Sequence, residues 1–176
     1  FILLGTTQIS ALQSADFAAL STAQVKALTV TQAAVLSSAQ IAALSTEQLV
    51  KLETEDIAAL TTQAVVGLTE EQVAQLSTAQ VSALLPAQLT AMETRDVTAL
   101  TTAHIQALVT EQVQALTTAQ IQGLSTAQVV AFETADLAAL KTEQIAALDA
   151  SDLALISTAQ LAALGVLHDG QIARHL

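Results

Sequence analysis

Ser21-Thr-Ala-Gln-Val-Lys-Ala-Leu28, Thr117-Thr-Ala-Gln-Ile-Gln-Gly-Leu124 and Ser157-Thr-Ala-Gln-Leu-Ala-Ala-Leu164 are copies of one eight-residue unit that recurs twenty times between Gly5 and Leu164. Numbered 1 to 8, the unit has a large apolar residue at position 5 in nineteen of twenty copies, Ala33 being the exception. Position 8 is Leu in seventeen, with Met92, Phe132 and Ile156 in the others, and position 7 is usually Ala. Apolar residues are therefore spaced alternately three and five apart. A strand cannot place residues an odd number apart on one face. A continuous helix fails too: at about 100° per residue, eight residues rotate the apolar pair by roughly 80° per unit and the stripe winds away. No heptad supports a coiled coil. Each unit must start its own helix.

Positions 1 to 4 carry the start signal. Ser21-Thr-Ala-Gln24, Ser45-Thr-Glu-Gln48 and Thr117-Thr-Ala-Gln120 are capping boxes, with a hydroxyl for the amide three residues on and a Gln able to reach back. Leu at position 8 and the apolar residue at position 5 then form a hydrophobic staple across the cap. Pro86 falls at the first helical position, the one that tolerates proline. Helices this short do not persist alone, so the units must interlock with their neighbours. The expected fold is all-α, a tightly wound α-solenoid of about twenty very short helices, one per octapeptide. Residues 1–4 lead in, 5–164 form the solenoid, and 165–176 diverge as a cap or the start of a further segment.

A longer beat overlies the octad. Gln13-Ser-Ala-Asp16, Glu53-Thr-Glu-Asp56, Glu93-Thr-Arg-Asp96 and Glu133-Thr-Ala-Asp136 lie 40 residues apart, a superperiod of five units. The simplest expectation is that five units return the chain to one side and stack these acids into a column. Structurally, Asp16, Asp56, Asp96 and Asp136 would favour helix N-termini, while Glu at a cap would fuse two octads into a longer helix. Chemically, the column Asp16, Glu53, Asp56, Glu93, Asp96, Glu133 and Asp136 could hold divalent cations such as calcium, although no calcium loop accompanies it. The structural reading is favoured, and no cofactor is expected.

Composition excludes several classes. Net charge is −11, with only Lys26, Lys51, Arg95, Lys141 and Arg174 to meet phosphate, and these are scattered. Nucleic-acid binding is therefore not expected. No apolar run approaches the roughly 20 residues of a membrane span. There is no cysteine. The start at Phe1-Ile-Leu-Leu4, without methionine and in mid-pattern, reads as a mature or excised segment.

Remaining candidates are weak as sites. His104 replaces Gln at position 4 and reads as a variant cap, with no second His one turn away. His168, Asp169 and His175 lie in the divergent tail, where nothing fixes a metal geometry. No nucleophile elbow or phosphate loop is present, and no acid–base pair has useful spacing, so an enzyme is not expected.

The Leu-[Ser/Thr]-Thr-Ala-Gln-[Val/Ile]-x-Ala-Leu runs over Gly5–Leu164 resemble octapeptide tracts of very large repetitive surface or secreted proteins of Gram-negative bacteria, adhesin-like or labelled haem-utilisation proteins. The resemblance implies an extracellular or cell-surface structural or adhesive role. Haem ligation has no support, since the array offers only His104 and Met92 in no ligand arrangement. The leading expectation is a non-catalytic stiff rod or filament that partners itself, end to end or laterally. The alternative is a scaffold for a surface protein or peptide, with Lys51, Gln75, Arg95 and Gln106 as its irregular face. A Thr-rich face against ice or carbohydrate is a remote third, because capping explains the same hydroxyls.

Overall fold

A computed structural model of the chain describes residues 3–167. Within them, twenty short helices run from Thr6–Ala11 to Thr158–Leu167, one per octad, and none of the described residues is in a strand. The corner between helices is made of two extended residues. Leu44 (φ −67°, ψ 137°) closes one helix and Ser45 (φ −68°, ψ 160°) caps the next. No described residue has positive φ, so the chain turns without the left-handed glycine that usually ends a helix. The capping box supplies the turn instead. Ser45 N–H donates to Gln48 Oε1 at 2.6 Å, and Ser45 Oγ accepts from Gln48 N–H at 3.2 Å. Pro86 opens its helix, where its missing N–H costs nothing.

The acidic junctions do not fuse octads. Thr54–Ala59, Thr94–Thr98 and Thr134–Ala139 are separate helices, each preceded by an extended Glu. At the first of these, Asp56 takes over the reach-back role, its Oδ2 accepting from Glu53 N–H at 3.1 Å. The corner therefore survives a poor cap residue.

Helices three units apart pack together: Ser14–Ala18 on Ser38–Ala43, and Thr78–Ala83 on both Thr54–Ala59 and Thr102–Ala107. Side-chain bonds described below reach to the unit after that, so one superhelical turn takes between three and four units. Five units then make roughly one and a half turns, given a constant rotation per repeat. This corrects the expected column. The 40-residue beat is real in the sequence, yet successive acidic units face different sides of the coil.

Positions 5 and 8 of all turns merge into one continuous core running from Ile9 to Leu164. Position 7 sits where adjacent turns approach. A Cβ built on Gly67 would lie 2.1 Å from Ser38 O and 2.6 Å from Ser38 C, so main chain meets main chain there. The same unit has Ala64 instead of Gln at position 4, and a small side chain at both places lets the turns close up. At Gly123 a Cβ would meet only the Thr94 and Thr98 methyl groups, at 2.7 and 3.0 Å, which can rotate or shift. Gly67→Ala is expected to destabilise by about 1–3 kcal/mol and Gly123→Ala by less, as overpacking against fixed backbone costs more. Urea unfolding of the two variants side by side checks the order.

The last helix, Thr158–Leu167, runs past the final octad into residues 165–167. His168, Asp169 and His175, and the first two residues of the lead-in, lie outside the described residues.

Candidate functional site

A short helix leaves amides unpaired at its start and carbonyls unpaired at its end. In this chain the corner concentrates both: the N–H of position 1 lies at the rim and the C=O of position 8, adjacent in sequence, is buried at the wall of the core. The Gln of position 4 serves both groups, but on different turns. Gln112 Oε1 accepts from Val109 N–H at 2.8 Å, within its own unit. Gln112 Nε2 donates to Leu84 O at 2.7 Å and to Val81 O at 2.9 Å, 28 and 31 residues earlier. Gln40 does the same to Leu12 and Ile9 at 2.7 and 3.0 Å, Gln72 to Leu44 and Ile41 at 2.7 and 2.9 Å, and Gln144 to Leu116 and Val113 at 2.8 Å each. These rungs continue to Gln160, which donates to Phe132 O at 2.9 Å. The result is a ladder of buried amides that ties each turn to the next.

His104 fits the same register. Its Nδ1 lies 3.2 Å from Thr101 N–H and its Nε2 2.8 Å from Leu76 O, 28 residues back. Those neighbours assign Nδ1 as acceptor and Nε2–H as donor, so the imidazole copies both halves of a glutamine amide. The variant-cap reading of His104 covers only its first half.

A second set of bonds runs in the other direction. Thr90 Oγ1 donates to Ala115 O at 2.9 Å and Gln114 Nε2 to Ala139 O at 3.1 Å, each 25 residues ahead.

The acidic residues occupy the same position 4 but cannot donate when ionised. Asp16 is exposed and accepts from Gln13 N–H at 2.8 Å. Asp56, Asp96 and Asp136 are buried. Asp136 Oδ1 accepts from Thr110 Oγ1 at 3.0 Å. Asp96 is the extreme case: it is 0 % exposed and neither carboxylate oxygen has a hydrogen-bond partner. Arg95 Nε lies 3.8 Å from Asp96 Oδ1, but the guanidinium is mostly in solvent and pairs more closely with Glu93, at 2.9 Å. Burial raises the carboxyls of Asp56, Asp96 and Asp136 above the ordinary aspartate value, against the opposing pull of Arg95 on Asp96 and of Thr110 on Asp136. Glu55 and Asp149, both exposed, are shifted the other way by local hydrogen bonds.

The candidate cation column of Asp16, Glu53, Asp56, Glu93, Asp96, Glu133 and Asp136 is not assembled. Its members face different sides of the coil, and no three His, Asp or Glu among the described residues are grouped to hold a metal ion. The irregular residues are not gathered at one place either. Arg95 lines one open cleft with Gly67, Thr69 and Glu70, Gln106 lines another with Phe132 and Glu133, and Lys51 and Gln75 border neither. Hydroxyls at position 1 are drawn into their own caps, as at Ser45 and Ser77.

The ladder is the feature the sequence reading missed, and a signal for it existed. Position 4 is Gln in thirteen of twenty units and never Glu. A capping box accepts either; only the amide both accepts and donates.

Comparison with known families agrees with the spacing. Residues 9–46, 49–85, 89–126 and 129–166 each match the family model described as the ALTTAQ repeat. That string stands in the chain at Ala115-Leu-Thr-Thr-Ala-Gln120. The matches recur with the five-octad beat, so the natural repeat spans five units rather than one. No curated protein matches the chain.

Proposed function

We propose that this chain, which belongs to the ALTTAQ repeat family, serves as a stiff structural or adhesive rod outside a bacterial cell or on its surface. The observation that carries the reading is the inter-turn ladder. Gln32 and Gln160 lie at its two extremes, and the turns between them are locked by buried hydrogen bonds as well as by apolar packing. Such a coil resists stretching, because each added length must break a rung and expose a strip of core. A repeat scaffold with rungs along its length is suited to setting distance.

Joining end to end is part of the same proposal, and the first units support it. Gln8 and Gln24 use Oε1 within their own units, at Gly5 N–H and Ser21 N–H, and have no inter-turn partner among the described residues. Their amides are donors on which the last carbonyls of another turn can seat, from further repeats or from a second copy. Electron microscopy over a rising concentration series should show rods that lengthen in whole multiples of one particle. Gln8→Ala with Gln24→Ala should shorten them. Particles of one length at every concentration would remove end-joining from the proposal, and collapse into compact particles would remove the rod.

A further inference from the structure

The ladder has gaps where position 4 holds no amide: Ala64 and the buried Asp152 interrupt it off the 40-residue beat, and three further gaps recur on that beat. Gln112 meets the Leu84 carbonyl 28 residues before it, and at that same separation Asp56, Asp96 and Asp136 stand after Leu28, Leu68 and Leu108. Among the described residues no backbone N–H donates to these three carbonyls outside the helices' own bonds, and the glutamine rungs on either side, such as Gln48 to Leu20 and Gln72 to Leu44, pass them by. At the register where glutamines reach back, each of these three gaps thus sets a helix-terminal carbonyl, itself electron-rich, opposite a position held by a buried aspartate, and Leu68 and Asp96 line one cleft. An ionised carboxyl has only lone pairs to offer that carbonyl. A protonated one has an O–H to donate.

We propose that Asp56, Asp96 and Asp136 are proton-operated rungs: each is a gap in the ladder when ionised and a hydrogen-bond donor across it when protonated. Mild acid then tightens the coil at one point in every superperiod. Asp96 makes the argument most directly, since both its oxygens are buried and unpartnered.

The charges around Asp56 and Asp136 favour protonation, while at Asp96 the pull of Arg95 opposes it and Glu93 and Glu70 favour it. Asp96 has Glu93 and Arg95 on its own unit and Glu70 and Glu71 across the cleft, while the helix Thr118–Gly123 packed on its other side carries no charge. Asp56 has Glu53 and Glu55 beside it; the helices Val30–Ala33 and Thr78–Ala83 packed on it carry none, and Lys26 forms no ion pair with it. Asp136 has Glu133 on its unit and Glu111 on the packed helix Thr110–Ala115; the packed helix Thr158–Leu167 is uncharged. Only Arg95 opposes protonation by its charge, and its guanidinium is largely solvated.

The sign follows from linkage. A carboxyl held higher in the folded than in the unfolded chain binds its proton more tightly when folded. Its stabilisation is complete below the ordinary aspartate value and is lost as pH rises through the raised folded value. General relief of a net charge of −11 acts in the same direction, so the test needs a charge-matched control.

Three proteins should be melted between about pH 7 and about pH 5. They are the unmodified chain, Asp56→Gln/Asp96→Gln/Asp136→Gln, and the exposed control Asp16→Asn/Glu47→Gln/Glu143→Gln. The unmodified chain and the control should gain several degrees in Tm on acidification. The rung variant should start higher at neutral pH and stay nearly flat, because its glutamines fill the gaps at any pH. No gain in the unmodified chain, or an undiminished gain in the rung variant, would overturn the proposal. If the triple variant does not fold, carboxyl carbon shifts of the three aspartates in the unmodified chain give the same decision. Titration midpoints above those of the denatured chain support the rungs, and midpoints at or below them overturn them.

Discussion

Gln112→Leu is expected to destabilise the coil by about 1–3 kcal/mol, because the buried Leu84 carbonyl and the half-buried cap amide of Val109 lose their partner in one substitution. The amide of Val109 and the carbonyl of Leu84 both depend on this side chain, at 2.8 and 2.7 Å. Leucine nearly conserves the volume, so cavity formation contributes little. Position 1 of this unit is Val109, which has no hydroxyl, so the loss reports the glutamine without a competing cap bond. Gln112→Glu separates the two halves. The glutamate keeps an acceptor for Val109 but loses the donor, and at neutral pH it places a charge against the Leu84 carbonyl. It should be nearly as damaging as leucine at neutral pH and should recover in acid. Denaturant unfolding followed by far-ultraviolet circular dichroism measures both variants. A loss under about 0.5 kcal/mol for the leucine variant, the range of ordinary surface changes, would mean that the rung is decorative.

The second large effect is expected from Phe132→Ala, at about 3–5 kcal/mol. Phe132 is 2 % exposed and fills position 8 where most units have leucine, so alanine leaves a cavity larger than any leucine truncation in the array would. Its carbonyl also accepts the rung from Gln160, at 2.9 Å, so a local collapse strains the ladder as well. Repeat arrays can unfold in parts when a middle unit is weakened, because each turn touches only its neighbours. The variant should therefore show either a large fall in midpoint or a second, earlier transition that takes the last units with it. A single transition unmoved from that of the unmodified chain would contradict the continuous core.

Much of the fold was legible because one short pattern carried its own checks. The three-and-five apolar spacing excluded strand and single helix, the Ser/Thr-x-x-Gln box required a restart, and Pro86 confirmed the register. All three features act within one unit, where sequence distance and spatial distance agree. What was not legible acts between turns. The rotation per unit depends on how Leu and Ile knobs and the position 7 alanines settle against the neighbouring turn, and no local rule states it. Without that angle, the 40-residue beat suggested a column of Asp16, Asp56, Asp96 and Asp136, whereas a turn of three to four units sends them to different sides. The second half of the glutamine's role was hidden for the same reason. Its partner is 28 residues away, and only the absence of Glu at position 4 hinted that a donor was needed.

The candidate site changes character accordingly. Sequence reasoning treated the acids as a surface feature and Gln as a cap. In the folded chain, Gln, His104 and Asp are alternative occupants of one buried position between turns, differing in what they can donate. Gln and the imidazole close the rung, Ala64 omits it, and the buried Asp56, Asp96 and Asp136 leave the carbonyl 28 residues earlier without an amide donor.

The most direct test of the ladder is nuclear magnetic resonance of the side-chain amide of Gln112 in chain labelled at glutamine, assigned by its loss in Gln112→Leu. The account predicts slow exchange of the Nε2 protons with water and cross-peaks from them to the α protons of Val81 and Leu84, whose carbonyls they meet at 2.9 and 2.7 Å. Rapid exchange at the rate of a free amide, with cross-peaks only inside the unit Val109–Leu116, would show that glutamine caps its own helix and nothing more.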